Sequence, residues 1–459
     1  MGRLIAISNR TAADPNARAG GLAVAVWESL QATEGVWIGW SGDLVEDTPR
    51  GVQTFRDDGV EFVLTDLTHH EHQKFYLDYS NSVLWPIFHY RIDLASFDTA
   101  SFDTYSQVNK RMAKLAAERA RPGDSIWVHD YHFMLVADYL KHYGWSGPTG
   151  FFLHIPFPSP EIFRAIPEHQ WIARSLVAYD VLGFQSERDR SNFERYLTEE
   201  HDASVSADGT INVFGTTTKA KAYPIGIDAE GFKKAAKSDL SFEAEDRISR
   251  FLGDRNLVIG VDRMDYSKGL PERFAAVGQL FDNHPELHGK VSVTQITPPS
   301  RGKVEEYRQL REELDRLAGR INGDYGDLDW IPLRYLARSY VREELAGLYR
   351  TARVALVTPL RDGMNLVAKE FIIAQNEDDP GVLVLSEFAG AAEQLREALI
   401  VNPHDTATLS ATINHALNMD LKERQRRWRI LKDTVEKQDV NWWCKKFLAD
   451  LGTFLSEAS

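Results

Sequence analysis

Short apolar runs rich in β-branched residues alternate with longer segments of helical periodicity along most of the 459-residue chain. This alternation is typical of βα units, which build parallel sheets. The predicted strands of the first half are Leu4–Ser8, Val36–Trp40, Glu61–Thr65, Ser125–His129, Gly150–His154, Val181–Gln185 and Lys219–Tyr223. Those of the second half are Leu257–Val261, Val291–Ile296, Val354–Thr358, Val382–Ser386 and Leu399–Asn402. The pattern therefore predicts an α/β fold with parallel sheets.

A highly charged stretch without a strand pattern, Phe232–Arg250, separates the two sets of strands. Because 459 residues are more than one hydrophobic core usually holds, we expect two domains. We place an N-terminal Rossmann-like domain at residues 1–230 and a C-terminal one at residues 241–440. Residues 441–459 are predicted to form a terminal helix that packs back towards the first domain through its aromatic side chains. We expect the two domains to face each other across a cleft, the usual place for a small-molecule site.

The composition argues against several classes of protein. The formal net charge of −14, from 53 basic and 67 acidic residues, argues against nucleic acid as the main partner. The single cysteine, Cys444, excludes an intramolecular disulfide and a multi-cysteine zinc site, and it suits a reducing compartment. The sequence has neither the apolar region of a signal peptide nor a run long enough to span a membrane. We therefore expect a cytoplasmic protein that does not act at a membrane.

Polar residues follow the predicted strands of the first half, and open α/β sheets bind ligands at that edge. Arg10 follows the first strand, and Gly20 and Gly21 precede a helical pattern whose first amides could hold an anion. Taken alone, two glycines before a helix are more often a tight turn than an anion site. Asp130 and His154 follow two further strands and could serve acid–base chemistry or bind sugar hydroxyls. Metal coordination is the alternative, but no companion set of residues has ligand spacing, so we expect no metal.

Cations gather after the strands of the second half. Arg263 and Lys268 lie in one loop after the strand Leu257–Val261, just before a helix start, and Arg301 follows the next strand. Two cations beside a helix start suit a diphosphate, since arginine offers a bidentate fork and lysine a point charge. A surface salt bridge would explain either cation alone. We interpret the loop as a phosphate site.

The segment Thr358–Phe371, T-P-L-R-D-G-M-N-L-V-A-K-E-F, leads from a strand through a turn into a helix. The amides of residues 364–366 would form a second anion site at the start of this helix. Asp362 could bind neutral sugar hydroxyls, and Glu370, one turn after Leu366, could accept both hydroxyls of a ribose. A phosphate, a hexose and a ribose at successive positions are the parts of a nucleotide sugar. The alternative is a helix cap at Asp362 and an exposed lysine–glutamate pair.

Motifs along nearly the whole chain match a known family. They are S-N-R near the start, A-G-G-L-A-V, W-I-G-W-S-G at Trp37–Gly42, F-Y at 75–76, N-S-V-L-W-P, W-V-H-D-Y-H, F-F-L-H-I-P-F-P, Y-P-I-G-I, D-R-M-D-Y-S-K-G-L-P-E-R, R-I-N-G-D-Y-G and T-P-L-R-D-G-M-N-L-V-A-K-E. Through them the chain resembles trehalose-6-phosphate synthases, retaining glycosyltransferases with two Rossmann-like domains of the B type. The resemblance implies transfer of glucose from UDP-glucose to glucose 6-phosphate, giving α,α-trehalose 6-phosphate and UDP, without a metal or other cofactor.

The resemblance also implies a role for individual residues. The acceptor, glucose 6-phosphate, would be held by Arg10, Tyr76, Trp85, Asp130 and Arg301. The donor would be held by Gly20, Gly21, His154, Arg263, Lys268, Tyr340, Asp362, Asn365, Leu366, Val367 and Glu370. The catalytic set would be Asp130, His154, Arg263, Lys268 and Asp362. Within these sets, Arg10 and Arg301 would grip the acceptor phosphate, Glu370 the ribose, and the backbone near Tyr340 the uracil.

The mechanism follows from where charge develops. Breaking the anomeric C–O bond builds negative charge on the leaving diphosphate, which Arg263, Lys268 and the helix-start amides would stabilise. No second carboxylate pairs with Asp130 as in glycosidases. We therefore favour front-face attack, in which the departing phosphate oxygen accepts the proton of the attacking hydroxyl. Retention itself is implied by the family resemblance only.

Other functions stay open at this point. One is the same fold using GDP-glucose, or a pseudo-glycosyltransferase that couples cyclitol units. Another is a phosphorylase of similar architecture with pyridoxal phosphate on Lys268 or Lys369. A third is a catalytically silent homologue that senses sugar phosphates. The sequence does not fix the base of the donor or the oligomeric state, and it leaves room for a dimer or a tetramer.

Overall fold

A computed structural model describes residues 2–13, 21–46, 51–299 and 305–452 of the chain. It divides into two compact units, one of residues 1–225 with 440–459 and one of Gly226–Asp439. Each unit contains a sheet whose central strands are parallel and buried. Among the described residues, none of the helices combines the length and the apolar character that crossing a bilayer requires.

The sheet of the first unit has a parallel centre and antiparallel edges. Its strands are β1 Leu4–Arg10, β2 Val36–Val45, β3 Val52–Asp57, β4 Val60–Thr68, β5 Ser125–His129, β6 Thr149–Phe152, β7 Val181–Phe184, β8 Ser204–Val205, β9 Thr210–Val213 and β10 Thr216–Ala222. They lie in the order β3-β4-β2-β1-β5-β6-β7-β10-β9-β8. The seven central strands β4, β2, β1, β5, β6, β7 and β10 pair in parallel. At the edges, β3 pairs antiparallel with β4, β9 with β10, and β8 with β9.

Helices connect these strands. They are α1 Gly21–Ala32, α2 His69–Glu71, a π-helical segment His72–Leu84 that continues from α2, α3 Trp85–Phe88, α4 Thr99–Arg119, α5 Val136–His142, α6 Pro160–Phe163, α7 His169–Leu176 and α8 Glu187–His201. Side-chain caps fix where the longer helices begin, because the first amides of a helix have no partner within it. The Asp98 carboxylate accepts from the Ala100 amide at the start of α4, and the Ser186 hydroxyl accepts from the Asp189 amide at the start of α8.

The second unit has a wholly parallel six-stranded sheet. Its strands are β11 Asn256–Val261, β12 Val291–Ile296, β13 Leu333–Leu336, β14 Val354–Val357, β15 Val382–Ser386 and β16 Leu399–Val401, in the order β13-β12-β11-β14-β15-β16. Counted from its first strand this is the order 3-2-1-4-5-6 of the Rossmann fold. The helices are α9 Ala229–Ala235, α10 Asp239–Leu252, α11 Leu270–Asn283, α12 Glu305–Tyr325, α13 Arg342–Thr351, α14 Leu366–Ala374, α15 Thr406–Leu417 and α16 Leu421–Lys437.

The last helix, α17 Val440–Asp450, belongs to the first unit. Its Trp443 and Phe447 are fully buried, with ring centroids 5.1 and 4.7 Å from that of Trp127 on β5. The Cys444 thiol lies 2.8 Å from the Ser29 hydroxyl of α1. Burial raises the pKa of this thiol to about 12, so the cysteine packs as a small apolar side chain.

The twelve strands predicted from the sequence are all present, with bounds that differ by three residues or fewer, except at the C-terminal end of β2. There the strand runs on from Trp40 to Val45. The prediction did not include β3, β8, β9 and β13. The predicted α/β class with two Rossmann-like sheets is confirmed.

Candidate active site

The predicted donor residues of the second unit lie at the point where its strand order reverses. Strand β11 has β12 on one side and β14 on the other, so the loops after β11 and β14 diverge at the carboxyl edge of the sheet. Such a switch point opens a crevice that binds ligands in α/β folds. The first loop carries Arg263 and Lys268, and the second carries Asp362 and Asn365.

An ion pair joins the two loops. Lys268, only 8% exposed, ends a short 3₁₀ turn, and its Nζ lies 2.5 Å from Oδ2 of Asp362. The same carboxylate oxygen accepts from Nδ2 of Asn365 at 3.1 Å. Two residues 94 positions apart are thereby fixed against each other. The structure brings this part of the predicted donor set together.

A second, deeper network supports the same loops. Arg273, in the first turn of α11, is 1% exposed, and its guanidinium lies 2.6 Å from Asp262, 2.8 Å from Gln295 and 3.0 Å from Thr358. These partners follow or end β11, β12 and β14. Burial raises the pKa of the Asp262 carboxyl, an effect that the neighbouring Arg273 opposes. The network holds the three strand ends in register, and sequence reasoning gave it no role.

Helix α14 begins at Leu366, and its cap is Asn365. The Asn365 backbone has φ +82°, and its side-chain oxygen accepts from the Ala368 amide at 3.3 Å. The first-turn amides of Leu366 and Val367 have no carbonyl within the helix to bond. Together with the helix dipole they can stabilise an anion. The alternative in which Asp362 caps this helix is wrong, since Asn365 is the cap residue.

The lysine and glutamate of α14 occupy different surroundings. Lys369 is 1% exposed and donates from Nζ to Oε1 of Gln394 at 2.8 Å, and burial lowers the pKa of its ammonium to about 7. Glu370 is half-buried, and burial raises the pKa of its carboxyl to about 7, against the opposing charge of Arg342. The alternative of an exposed lysine–glutamate pair is therefore wrong for Lys369.

Other predicted donor residues are less constrained. Arg263 is exposed at the start of its loop. Tyr340 precedes α13, and its ring lies 4.4 Å from the guanidinium carbon of Arg338. Gly21 is the first residue of α1. Gly20, expected at the donor diphosphate, lies outside the described residues, and so does Arg301, expected at the acceptor phosphate.

The predicted acceptor residues of the first unit lie at an equivalent switch point. Strand β1 has β2 on one side and β5 on the other. Arg10 ends β1, with its guanidinium carbon 4.9 Å from the Trp40 ring centroid. Asp130 follows β5 with φ +75°, and its carboxylate accepts from the His154 amide at 3.2 Å. The strained backbone at Asp130 is the kind found where a structure fixes a functional side chain.

His154 is paired with a second histidine. Its Nε2 lies 3.3 Å from Nδ1 of His129, the last residue of β5. Burial lowers the pKa of His154 to about 3 and that of His129 well below its ordinary value, so both imidazoles are neutral at pH 7. Neutral His154 can hydrogen-bond a sugar hydroxyl, but it cannot supply positive charge to a phosphate.

Aromatic rings surround the acceptor residues. Tyr76 stacks on His132, with centroids 5.8 Å apart and planes 11° from parallel. Trp85 is buried, with its ring centroid 4.1 Å from that of His89 and 5.7 Å from that of Tyr131. Stacked rings of this kind form firm walls against which a pyranose can pack. In the described part of the chain, no three His, Cys, Asp or Glu residues cluster as metal ligands would.

Residues 6–453 match the model of glycosyltransferase family 20. The chain belongs to this family. The trehalose-6-phosphate synthase of Cronobacter sakazakii is 44% identical over 454 residues, which cover 98% of this chain and 95% of the relative.

Solved structures support the family assignment. A UDP-forming α,α-trehalose-phosphate synthase from Burkholderia xenovorans, in complex with glucose 6-phosphate, has a TM-score of 0.94 and is 42% identical, covering 98% of this chain and 100% of that one. An E. coli structure bound with UDP-2-fluoro glucose has a TM-score of 0.95 and is 42% identical, covering 99% of both chains.

Within this family-20 chain, sequence reasoning missed the groups that support the predicted residues. Asp262, Gln295 and Arg273 hold the strand ends, and His129 pairs with His154. A signal was present for three of them. Asp262 opens and Arg273 closes the motif D-R-M-D-Y-S-K-G-L-P-E-R, and His129 opens H-D-Y-H. Gln295 lies on another strand and His154 follows another strand, so the contacts of Arg273 with Gln295 and of His129 with His154 could not be read from spacing along the chain.

Proposed function

We propose that this chain transfers glucose from UDP-glucose to glucose 6-phosphate, giving α,α-trehalose 6-phosphate and UDP. The observation that carries the proposal is the match to trehalose-6-phosphate synthases over 98% of the chain at 44% identity. The ion-paired, helix-capped loops of the second unit supply the anion site that a nucleotide sugar requires. No metal or other cofactor takes part in the proposed reaction.

The donor is assigned to the second unit. We assign its diphosphate to Arg263, Lys268 and the first-turn amides of Leu366 and Val367. A nucleotide diphosphate is an anion, and two cations beside a helix N-terminus are complementary to it. Glu370, one turn further along the helix, is assigned to the ribose hydroxyls.

The other donor contacts complete the assignment. Asp362 and Asn365 are assigned to the glucosyl hydroxyls and the adjacent phosphate. The uracil is assigned to the backbone near Tyr340, and the neutral imidazole of His154 to a glucosyl hydroxyl. Gly20 and Gly21 keep their predicted place beside the diphosphate.

The acceptor is assigned mainly to the first unit. Arg10 is assigned to the phosphate of glucose 6-phosphate, together with Arg301. Tyr76 and Trp85 are assigned to the pyranose ring, because their rings pack against other aromatic rings beside Asp130 in the chain: Tyr76 against His132 and Trp85 against Tyr131. Asp130 accepts a hydrogen bond from an acceptor hydroxyl in this assignment, and its backbone is already fixed by the Phe152 carbonyl at 2.8 Å.

The proposed reaction forms one bond and breaks one. The acceptor hydroxyl oxygen bonds to the anomeric carbon of glucose, and the bond from that carbon to the diphosphate oxygen breaks. The hydroxyl proton passes to the departing phosphate oxygen, which leaves as part of UDP on the same face, so the configuration is retained. Lys268 and Arg263 stabilise the charge that grows on the leaving group, and Lys268 is held for this by Asp362 before the donor binds.

The alternative donors are not favoured. Two of the similar solved structures are those of UDP-forming synthases, which argues against GDP-glucose as the donor and against cyclitol coupling. A cytoplasmic location stays a prediction, and the proposed reaction sets no oligomeric state.

The test mixes purified protein with glucose 6-phosphate and one nucleotide-glucose at a time, and follows release of the nucleoside diphosphate. We expect UDP release only with both substrates present, and a product whose two anomeric protons both show α coupling by NMR. Arg263→Ala should lower turnover at least about tenfold. The matched control is Arg56→Ala, which removes an exposed arginine of β3 and should leave turnover unchanged. Faster release from GDP-glucose, or UDP release without a disaccharide, would overturn the proposal.

A further inference from the structure

The motif W-I-G-W-S-G at Trp37–Gly42 lies beside Arg10 in the sheet, and none of its residues has a place in the proposed reaction. Residue Trp40 of β2 is the register partner of Arg10 on β1. The Trp37 indole donates to the Ser8 hydroxyl at 2.8 Å, and that hydroxyl donates to the Arg10 carbonyl at 2.7 Å. This chain of two hydrogen bonds fixes the backbone from which the Arg10 side chain leaves.

The Trp40 ring holds the Arg10 side chain itself. The ring is 8% exposed, and its Nε1 donates to the Asp43 carbonyl at 2.9 Å, so its orientation is fixed. Its other neighbours are the rings of His72 and Tyr76, at 5.6 and 6.1 Å between centroids. A guanidinium 4.9 Å from the ring centroid is within range for a cation–π interaction.

Gly42 provides the room for this arrangement. A Cβ at this position would lie 2.5 Å from Nη1 and 2.8 Å from Cζ of Arg10, closer than real Cβ contacts. The φ of Gly42 is +100°, a region that side chains rarely adopt. Gly39 is constrained in the same way, since its Cβ would lie 2.6 Å from the Ser8 carbonyl oxygen. Any side chain at 42 would displace the guanidinium.

We propose that Trp40 and Gly42 are positioning residues that hold the Arg10 guanidinium ready for the phosphate of the acceptor. This inference rests on the proposed role of Arg10 in binding glucose 6-phosphate. A contact with the ring through the π-electrons uses none of the guanidinium's N–H donors, so they stay available for a bidentate contact with phosphate. A long, exposed side chain held in this way loses less conformational freedom when the phosphate binds.

The test is a double-mutant cycle between Arg10 and Trp40, read as KM for glucose 6-phosphate and, separately, KM for UDP-glucose. Arg10→Ala should raise KM for glucose 6-phosphate at least about tenfold. Trp40→Leu and Gly42→Ala should each raise it about threefold or more, with KM for UDP-glucose unchanged. Trp40→Phe, which keeps an aromatic face, should restore most of the wild-type value. In the Arg10→Ala background, Trp40→Leu should have little further effect.

The outcomes separate this inference from the proposed function. If Arg10→Ala leaves KM for glucose 6-phosphate unchanged, the assignment of Arg10 fails and the inference fails with it. If Arg10→Ala acts but Trp40→Leu acts equally in both backgrounds, Arg10 keeps its role and the positioning role of Trp40 is overturned. Should Trp40→Leu not fold, Gly42→Ala is measured in the same cycle. Trp171→Leu, on α7 of the same unit, is the control for loss of an indole and should leave both KM values unchanged.

Discussion

Lys369 offers the sharpest quantitative test of the structure, because a fully buried lysine carries a cost that depends on pH. The change is Lys369→Met, which keeps an unbranched chain of similar length and removes the titrating group. Lys369 is 1% exposed, and burial lowers the pKa of its ammonium from an ordinary 10.5 to about 7. Each pKa unit corresponds to about 1.4 kcal/mol. Folding the wild-type chain at pH 7 therefore costs up to about 4 kcal/mol at this residue.

The direction in which the stability changes with pH follows from the protons that the unfolded and native chains bind. Between pH 7 and 10.5 the unfolded chain binds the lysine proton and the native chain does not, so the stability of the wild type rises with pH across this window. Below pH 7 both states are protonated and the cost stays at its maximum. Methionine has no such dependence. The stability of the variant relative to the wild type should therefore fall by about 3 kcal/mol between pH 7 and pH 9.5.

At either pH, the change in folding stability caused by Lys369→Met is smaller than the difference in that change between the two pH values. The variant loses the hydrogen bond from Nζ to Gln394, at 2.8 Å, which contributes about 1 kcal/mol, and leaves the Gln394 oxygen in need of a donor. We expect a net gain of about 2 kcal/mol at pH 7, which becomes a loss of about 1 kcal/mol at pH 9.5.

The assay is urea denaturation of both proteins at pH 7 and pH 9.5, followed by fluorescence. The control is Lys445→Met on α17, which removes an exposed lysine and should give the same difference from wild type at both pH values. A Lys369→Met effect that is equal at the two pH values would show that the native chain does not hold this lysine neutral. Burial would then not lower the pKa of Lys369.

Two further predictions concern the proposed donor site, and a third concerns the packing of Gly390 against the loop after β14. Lys268→Ala should lower kcat for UDP release at least about tenfold, which is about 1.4 kcal/mol; unchanged turnover in the folded variant would contradict the leaving-group role. Glu370→Gln should weaken UDP binding in calorimetry more at pH 8 than at pH 6, because a pKa of about 7 leaves the wild-type carboxyl charged only at the higher pH; an equal effect at both would exclude the carboxylate. Gly390→Ala places a Cβ 1.8 Å from the Gly363 carbonyl and should destabilise the fold by about 2 kcal/mol in thermal melts, whereas Gly319→Ala, with open space around it, should not.

The sequence revealed all the strands that are buried along their whole length, and each strand that it missed is short or largely exposed. Strands such as β5 and β14 are continuous apolar runs because helices cover a parallel sheet on both sides. Edge strand β3, Val52–Asp57, is exposed along nearly its whole length, and its sequence V-Q-T-F-R-D has no apolar run. Short strand β13 carries Arg334 at its second position. Pairing with a neighbour, rather than side-chain burial, defines these strands, and pairing leaves little trace in local composition.

The sequence predicted the residues at the strand ends of the candidate site, but it did not predict the contacts between its loops. Strand ends could be located, so the residues that follow them, such as Asp130 and Asp362, could be placed at the ligand-binding edge. The contacts between loops could not. The pair of Lys268 with Asp362 spans 94 positions, and the cap of α14 depends on a left-handed backbone at Asn365 that no sequence pattern specifies.

If Lys268 and Asp362 bind the donor as proposed, their ion pair explains how an acidic chain keeps a cation ready for a diphosphate. A buried ammonium without a counterion is costly, because it has lost most of its hydration. Asp362 balances that charge while the donor is absent, and the Asn365 amide holds the carboxylate in place. When a diphosphate binds, it brings its own negative charge, so the ammonium no longer needs the carboxylate. Asp362 can then accept hydrogen bonds from neutral sugar hydroxyls beside the phosphate. A single contact would thus keep the leaving-group cation in position before the donor binds and add a sugar-binding carboxylate afterwards.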